Sequence, residues 1–181
     1  MPFSSEYANI CGQCLKNSPP FSKVFNYGLY EGSLAEAINH LKFYGLKRLA
    51  KPLSKLLLNF DLPVMDGLVP VPLSIKRLRE RGFNQSLLIA RVISRKIGTP
   101  LLIDTLCKKK DTLPQTGLSA RERMLNLKNV FEVKGHIRDL RLLLVDDVMT
   151  TGATVSECSK ELMKAGAKEV TVLTLARASM V

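Results

Sequence analysis

Residues 142–154 read LLLVDDVMTTGAT, and this stretch decides the class of fold. Leu142–Val145 is wholly apolar, which is typical of a strand buried on both faces of a parallel sheet. Asp146 and Asp147 follow where such a strand ends, and open α/β sheets bind ligands just beyond the carboxyl ends of their strands. The small and hydroxylated residues after the acids lead into a predicted helix over 153–165. The stretch therefore predicts an α/β fold with a ligand site at this edge.

The loop after the two acids suits a phosphate group. Free backbone N–H groups, hydroxyl donors, a glycine and the positive end of a helix dipole all favour an anion there, and the loop consists of Thr150, Thr151, Gly152, Ala153 and Thr154. The two carboxylates would repel that phosphate, so they suit vicinal hydroxyls, or a Mg²⁺ held through hydroxyls and water. A phosphate beside a diol describes a ribose 5-phosphate. Neither G-x-x-x-x-G-K-[ST] nor G-x-G-x-x-G occurs, so this is not a Walker loop.

Strands and helices alternate on both sides of this stretch. Apolar runs predict strands over 67–72, 101–106, 130–133 and 170–175. Helical spacing of apolar residues predicts helices from 33 to Gly45, near 47–59, over 84–97 up to Gly98, and over 119–127, while 74–81 is a basic turn or short helix and 111–117 a loop. Ser33 and Glu36 form a capping-box pattern for the first helix. The alternation predicts a mostly parallel central sheet flanked by helices.

Length and composition bound the organisation of the chain. With 181 residues and 46 % apolar content, the chain can fill a core, which excludes a disordered class. No apolar run approaches the ~18–20 residues that a membrane span requires, and no secretory signal is visible, so we expect a cytoplasmic protein. Residues 1–24 read as irregular, so we expect an N-terminal tail over 1–30 and one domain over 31–181.

Most of the positive charge lies in one segment. The chain carries 27 Lys and Arg against 16 Asp and Glu, a net charge of +11, and residues 76–110 alone hold 10 against 2. A local cationic field attracts polyanions such as nucleic acid, polyphosphate or a phosphorylated small molecule. A solvated surface gives the same composition, and charge alone leaves both interpretations open.

The cysteines leave zinc binding open. Cys11 and Cys14 are spaced as CxxC, which lets two thiolates share one tetrahedral Zn²⁺. A structural zinc needs four ligands, and no second CxxC or HxxxH pair is present, which favours a metal-free remnant or mobile tail over a zinc site. Cys107 and Cys158 lie among apolar residues and are predicted to be small core or near-core side chains.

Four apolar residues, two acids and a Thr-Gly-x-Thr loop resemble the phosphoribosyl pyrophosphate (PRPP) motif of type I phosphoribosyltransferases. Other segments narrow the resemblance to the ComF family of competence-associated proteins, including its GntX-like members. These segments are CGQC at 11–14, LKF at 41–43, VPVP at 69–72 and RGFNQ at 81–85, together with Gln115, Arg121, Arg123, Asn126 and Phe131. The resemblance covers nearly the whole chain from Cys11 onward.

The resemblance implies a type I phosphoribosyltransferase fold that binds PRPP with Mg²⁺. It implies that Asp146 and Asp147 hold the ribose hydroxyls, with Mg²⁺ bound through PRPP and these acids, and that residues 150–154 cradle the 5-phosphate. It assigns the pyrophosphate to Leu73, Ser74, Lys76 and Arg77. A flexible loop over 108–123 and contacts to a polyanion would involve Arg79, Arg81, Gln115, Arg121 and Arg123.

The chain departs from the family pattern at two places. Purine-salvage relatives carry an acid where this chain has Thr150, and a threonine cannot act as a general base near neutral pH without help. Turnover and the acceptor substrate therefore stay open. Family members carry an N-terminal zinc ribbon with two CxxC pairs, whereas this chain has only Cys11 and Cys14. The segment thus resembles a short, irregular zinc-ribbon remnant.

Two functions follow from the resemblance and the charge. The first is a PRPP-binding, phosphoribosyltransferase-like protein that acts in natural transformation and DNA uptake. The alternative is a competence protein that binds single-stranded DNA and whose phosphoribosyltransferase site is non-catalytic. The expected partners are PRPP, single-stranded DNA and other DNA-uptake proteins, without membrane insertion, and a homodimer stays open.

Overall fold

A parallel four-stranded sheet organises the chain. The computed structural model describes residues 18–109 and 129–179. In chain order the elements are β1 (Lys23–Leu29), α1 (Gly32–Phe43), a 3₁₀ turn (Lys47–Leu49), α2 (Ala50–Leu57), β2 (Gly67–Pro70), α3 (Ile75–Arg81), α4 (Gln85–Ile97), β3 (Leu106–Lys108), β4 (Phe131–Val133), β5 (Arg141–Met149), α5 (Ala153–Lys164) and β6 (Glu169–Arg177). The sheet order is β1-β6-β5-β2, and β3 pairs with β4 in a separate antiparallel ribbon.

Both faces of the sheet are covered, because alternate residues of its strands point in opposite directions. Leu142 and Leu144 of β5 belong to a core shared with α5 and the β3–β4 ribbon. Leu143 and Val145 belong to a second core, shared with α1, α2 and α4. This double burial explains the unbroken apolar run in β5. The predicted α/β class with a parallel sheet flanked by helices is confirmed.

The neighbouring strands β2 and β5 separate at their carboxyl ends. Gly67–Pro70 pairs with Leu142–Val145, and the Val71 N–H adds one more hydrogen bond to the Val145 carbonyl at 2.9 Å. Beyond that point β5 stays paired only with β6, as far as Met149. The chain after β2 turns away into α3, so a crevice opens beside the last residues of β5. This is the place where open α/β sheets bind ligands.

Two predicted boundaries in the sheet are wrong. Residues up to 30 were predicted to form a tail, yet Lys23–Leu29 is β1, which pairs with β6 from Lys23 opposite Thr171 to Leu29 opposite Arg177. Its partner lies almost 150 positions away, so no local pattern shows the pairing. The strand predicted at 142–145 is also too short. β5 continues through both acids, because Asp146 and Val148 remain in register with β6.

Two local predictions also need correction. The predicted strand at 101–106 makes one parallel bridge from Leu101 to Leu68 and then leaves the sheet, since Ile103 and Asp104 are exposed. Ser33 does not cap α1: the Glu31 carbonyl already accepts from the Ala35 N–H at 3.2 Å, so Ser33 lies inside the first turn.

The helix predicted over 84–97 is confirmed as α4, with both of its ends determined by local chemistry. The Asn84 side chain accepts from the N–H groups of Ser86 and Leu87, and Gly98 takes the left-handed conformation at the other end. The loop at 111–117 and the helix at 119–127 lie outside the described residues. Among the described helices, none is long and apolar enough to cross a membrane.

Candidate functional site

An open cleft of about 1240 Å³ lies beyond the carboxyl ends of β2 and β5. Several segments form its walls: the end of α1, the turn after β2 with α3, the start of α4, the last residues of β5, the loop that leads into α5, and the β3–β4 ribbon. Among the predicted site residues it is lined by Leu73, Ser74, Lys76, Arg77, Arg81, Asp146, Asp147, Thr150, Gly152 and Thr154. The structure therefore brings together the acids, the loop and the basic segment, which lie far apart in the sequence.

Asp146 is a buried carboxyl group held by two donors. The residue is 7 % exposed, and its Oδ1 accepts from Ser86 Oγ at 3.0 Å and from the Asp147 N–H at 2.9 Å. Burial and the neighbouring Asp147 carboxylate raise the pKa of Asp146 to about 7, against the opposing effects of Lys42 and the two hydrogen bonds. This acid therefore changes charge near neutral pH.

Asp147 is buried as well and contacts a cation. Its Oδ1 accepts from the Val148 N–H at 2.7 Å, while its Oδ2 lies 2.8 Å from Lys42 Nζ at the end of α1. The contact between Lys42 and Asp147 is an ion pair and not a hydrogen bond, because Oδ2 accepts no hydrogen bond from any described residue. Oδ2 is thus buried beside the Lys42 ammonium with its capacity to accept a hydrogen bond unused among the described residues.

The loop after β5 turns at a glycine beside the amino end of α5. Gly152 is buried, has a φ of +78° and stands at the N-cap of α5, a conformation that favours glycine. Thr150 and Thr154 line the cleft on either side of it. Thr151 and Ala153 do not line the cleft: the Thr151 hydroxyl accepts from the Ala153 N–H, and Ala153 packs into the core.

The opposite wall of the cleft is basic. Ser74 caps α3 by accepting from the Arg77 N–H at 3.3 Å, and α3 has no buried residue. Arg81 reaches back into the cleft, where its Nη1 donates to Gln85 Oε1 at 2.5 Å. Burial lowers the pKa of Arg81 from its usual value, Asp147 opposes that shift, and Arg77 adds to it. Arg79 does not line the cleft.

Sequence reasoning missed four contributors to the site. Ser86 donates to Asp146, and Lys42 contacts Asp147, whereas Phe43 and Tyr44 line the cleft while 69 % and 72 % exposed. The one available signal was the segment LKF at 41–43, which carried part of the family resemblance without an assigned role. Ser86 gave no signal, because its contact with Asp146 joins elements 60 residues apart.

Several predicted site residues lie outside the described residues. These are Cys11, Cys14, Gln115, Arg121 and Arg123. Within 18–109 and 129–179, no group of three or more His, Cys, Asp and Glu is arranged to hold a metal ion. Zinc binding at the CxxC pair stays a prediction.

Comparison with known proteins gives three kinds of match: a family, individual relatives and a solved structure. Residues 83–179 match the family described as "Phosphoribosyl transferase domain". The chain is 38 % identical to Competence protein F of Haemophilus influenzae, covering 95 % of this chain and 80 % of that protein. It is 36 % identical to the DNA utilization protein YhgH of Escherichia coli K12, covering 92 % and 77 %. The solved purine phosphoribosyltransferase from Pyrococcus horikoshii shares 21 % identity, with a TM-score of 0.44 over 86 % of this chain and 82 % of that one.

Proposed function

The chain belongs to the phosphoribosyl transferase domain family and to the family of Competence protein F, and from that premise we propose that it binds PRPP with Mg²⁺ in the cleft. One observation carries the proposal. The buried acids Asp146 and Asp147, the left-handed Gly152 loop and the basic helix α3 face a single cleft. PRPP presents a diol, a 5-phosphate and a pyrophosphate, which are the groups that these three surfaces suit.

The acids of the cleft suit a ligand that combines sugar hydroxyls with Mg²⁺. Asp147 Oδ2 is buried and accepts no hydrogen bond from the described residues, so a ribose hydroxyl or a metal-bound water can donate to it. Mg²⁺ retains several waters and is held largely by the phosphates of its substrate, so a metal-bound water can meet the acids without a direct bond from Asp147 to the ion. When bound, Mg²⁺ would neutralise charge on the pyrophosphate.

The chemistry that follows is a transfer of the phosphoribosyl group. A nucleophile would form a bond to C1 of the ribose while the bond from C1 to the pyrophosphate oxygen breaks. The acids would fix the sugar, and Arg77 and Arg81 would stabilise the charge that develops on the leaving pyrophosphate. Thr150 cannot take the proton of the nucleophile near neutral pH, so we propose binding as the function and leave the acceptor unassigned.

Calorimetric titration with PRPP and Mg²⁺ tests the proposal. The wild-type chain is expected to bind, and Arg77→Ala to bind at least about tenfold more weakly, since a charged hydrogen bond contributes ~1.5–3 kcal/mol. Arg138→Ala is the matched control, because Arg138 is 88 % exposed in the turn before the amino end of β5. The Arg138→Ala variant loses the same positive charge as Arg77→Ala and should bind PRPP with wild-type affinity. No binding by the wild type would overturn the proposal.

Single-stranded DNA is the second candidate ligand, favoured by one specific observation. The exposed basic helix α3 and the exposed rings of Phe43 and Tyr44 border the same cleft, and Arg81 lies over the Phe43 ring at 5.5 Å. Basic grooves with exposed aromatic rings bind single strands, because the bases stack on the rings. The names of the two relatives, which refer to competence and DNA utilization, agree with a role in DNA uptake.

Fluorescence anisotropy with a labelled oligothymidine across a salt series tests this candidate. Affinity should fall steeply with salt, with a logarithmic slope of about −0.7 per phosphate contacted. Phe43→Ala/Tyr44→Ala should weaken binding at least about thirtyfold at every salt concentration, since each of the two rings stacks a base for ~1–3 kcal/mol. Tyr27→Ala, which removes a ring exposed on β1, should have no effect. A flat salt dependence, or no binding at low salt, would exclude the candidate.

A further inference from the structure

Lys42 lies at the acidic pair as a largely buried cation. It belongs to the last turn of α1, which Ile38 and Leu41 anchor with fully buried side chains. The Lys42 side chain is only 17 % exposed, although Phe43 and Tyr44 beside it are mostly exposed. A lysine is rarely buried to this degree unless it is paired. The fold of α1 therefore directs this ammonium group at Asp147.

The ammonium group of Lys42 occupies the position that a metal ion bound by Asp147 would need. Asp147 Oδ1 already accepts from the Val148 N–H, which leaves Oδ2, and Lys42 Nζ is 2.8 Å from that oxygen. A divalent ion coordinated to Oδ2 would sit about 2.0–2.1 Å from it, and so within a few ångströms of the ammonium. Repulsion between these charges would be strong in a site of low dielectric. A hydroxyl donor carries no charge and can share the carboxylate with Lys42.

We propose that Lys42 is a specificity-determining residue that excludes direct coordination of a divalent cation by Asp147 and so reserves the acidic pair for hydroxyl groups. The exclusion of metal follows from the geometry alone. Its consequence for PRPP, that Mg²⁺ enters the cleft only together with the ligand's pyrophosphate, rests on the proposed function. In this arrangement the acids recognise the sugar, and the metal is brought in by the polyphosphate.

Binding of Mn²⁺ to the ligand-free chain separates this role from a structural ion pair. The full, untagged chain is titrated with Mn²⁺ at pH 8 and followed by electron paramagnetic resonance. Lys42→Met should bind Mn²⁺ at least about tenfold more tightly than the wild type, because a unit charge at contact distance has been removed. Lys42→Arg keeps the charge and should bind as weakly as the wild type. Adding Asp147→Asn to Lys42→Met should abolish the gain.

Lys47→Met is the control for net charge, since Lys47 is exposed near the cleft, over the Phe83 ring at 5.1 Å, and does not contact the acids. It should leave Mn²⁺ binding unchanged. Equal Mn²⁺ affinity of Lys42→Met and the wild type would overturn the proposal, as would an equal gain in Lys47→Met. Lys42→Gln is a second neutral variant that gives the same test if Lys42→Met does not fold.

The same variants distinguish this proposal from the proposed function. If the wild type fails to bind PRPP, the proposed function is wrong, while the Mn²⁺ titration still decides the role of Lys42. If the wild type binds PRPP and Lys42→Met gains no Mn²⁺ affinity, the proposed function is supported and the proposed role of Lys42 is wrong.

Discussion

At pH 8, where both acids are largely ionised, their replacement, Asp146→Asn/Asp147→Asn, is expected to lower the affinity for Mg²⁺ and PRPP by at least about a hundredfold. Each carboxylate would accept from a ribose hydroxyl, and a hydrogen bond to a charged group contributes ~1.5–3 kcal/mol, so two such losses exceed ~3 kcal/mol. The fold should survive, because an amide oxygen can accept the hydrogen bonds that the Oδ1 atoms now accept from Ser86 and from the N–H groups of Asp147 and Val148. Calorimetry measures the affinity, and circular dichroism checks the fold.

The matched control for that variant is Asp61→Asn/Asp139→Asn. Both of these acids are exposed outside the cleft, Asp61 before β2 and Asp139 before β5, so the control loses the same two charges without touching the site. It should bind PRPP slightly better than the wild type or equally well, because a polyanion meets a more positive protein. Retention of wild-type affinity by the double variant of Asp146 and Asp147 would remove the acids from the site.

Acidic and basic groups lie in different parts of the cleft, which the net charge of the chain does not show. Its floor holds two buried acids with one buried cation, Lys42, while its outer wall is the basic helix α3. Arg81 joins the two regions, since its guanidinium is partly buried and interacts with the charges of both Asp147 and Arg77. A ligand that suits this cleft must be anionic at its ends and neutral but hydroxylated at its centre. PRPP has that pattern, whereas an inorganic polyphosphate does not.

The contiguous parts of the site could be predicted from the sequence, because local chemistry determines them. In residues 142–154 a strand, two acids, a left-handed glycine and a helix N-terminus follow one another, and each has its own signature. The same holds for α3, whose Ser74 cap and basic residues lie within eight positions of the sequence. Such features need no knowledge of which strand pairs with which.

The parts that escaped prediction depend on contacts between distant segments. Lys42 reads as an ordinary polar residue at the end of an amphipathic helix, and only the packing of Ile38 and Leu41 against the sheet brings it to Asp147. Strand β1 carries no clear alternation, because its Val24 and Phe25 side chains pack into opposite cores. An edge strand whose side chains are only partly covered on both faces has no clear periodicity to detect.

The pKa of Asp146 predicts a stability effect whose sign can be worked out. Burial and Asp147 raise the pKa of Asp146 from 3.8 to about 7, so between these values the folded chain holds a proton that the unfolded chain has released. The contribution of Asp146 to stability is therefore greatest at low pH and is lost as pH rises toward 7. The charged groups that set this balance are Asp147 beside it and Lys42 on α1, while Cys158 on α5 is buried and has a raised pKa.

Asp146→Asn removes this titration and is expected to stabilise the ligand-free chain at pH 8 relative to the wild type. At about 1.36 kcal/mol per pKa unit, the gain in the free energy of unfolding is on the order of 4 kcal/mol. The gain should grow from pH 5 to pH 7 and level off above pH 7, as measured by urea unfolding at pH 5, 6, 7 and 8. Asp139→Asn, at an exposed acid, should leave the wild-type profile unchanged. Parallel pH profiles for the wild type and Asp146→Asn would show that Asp146 is already ionised in the folded chain at pH 5. In that case the ribose hydroxyls would meet two full negative charges near neutral pH, rather than a pair of acids that shares a proton.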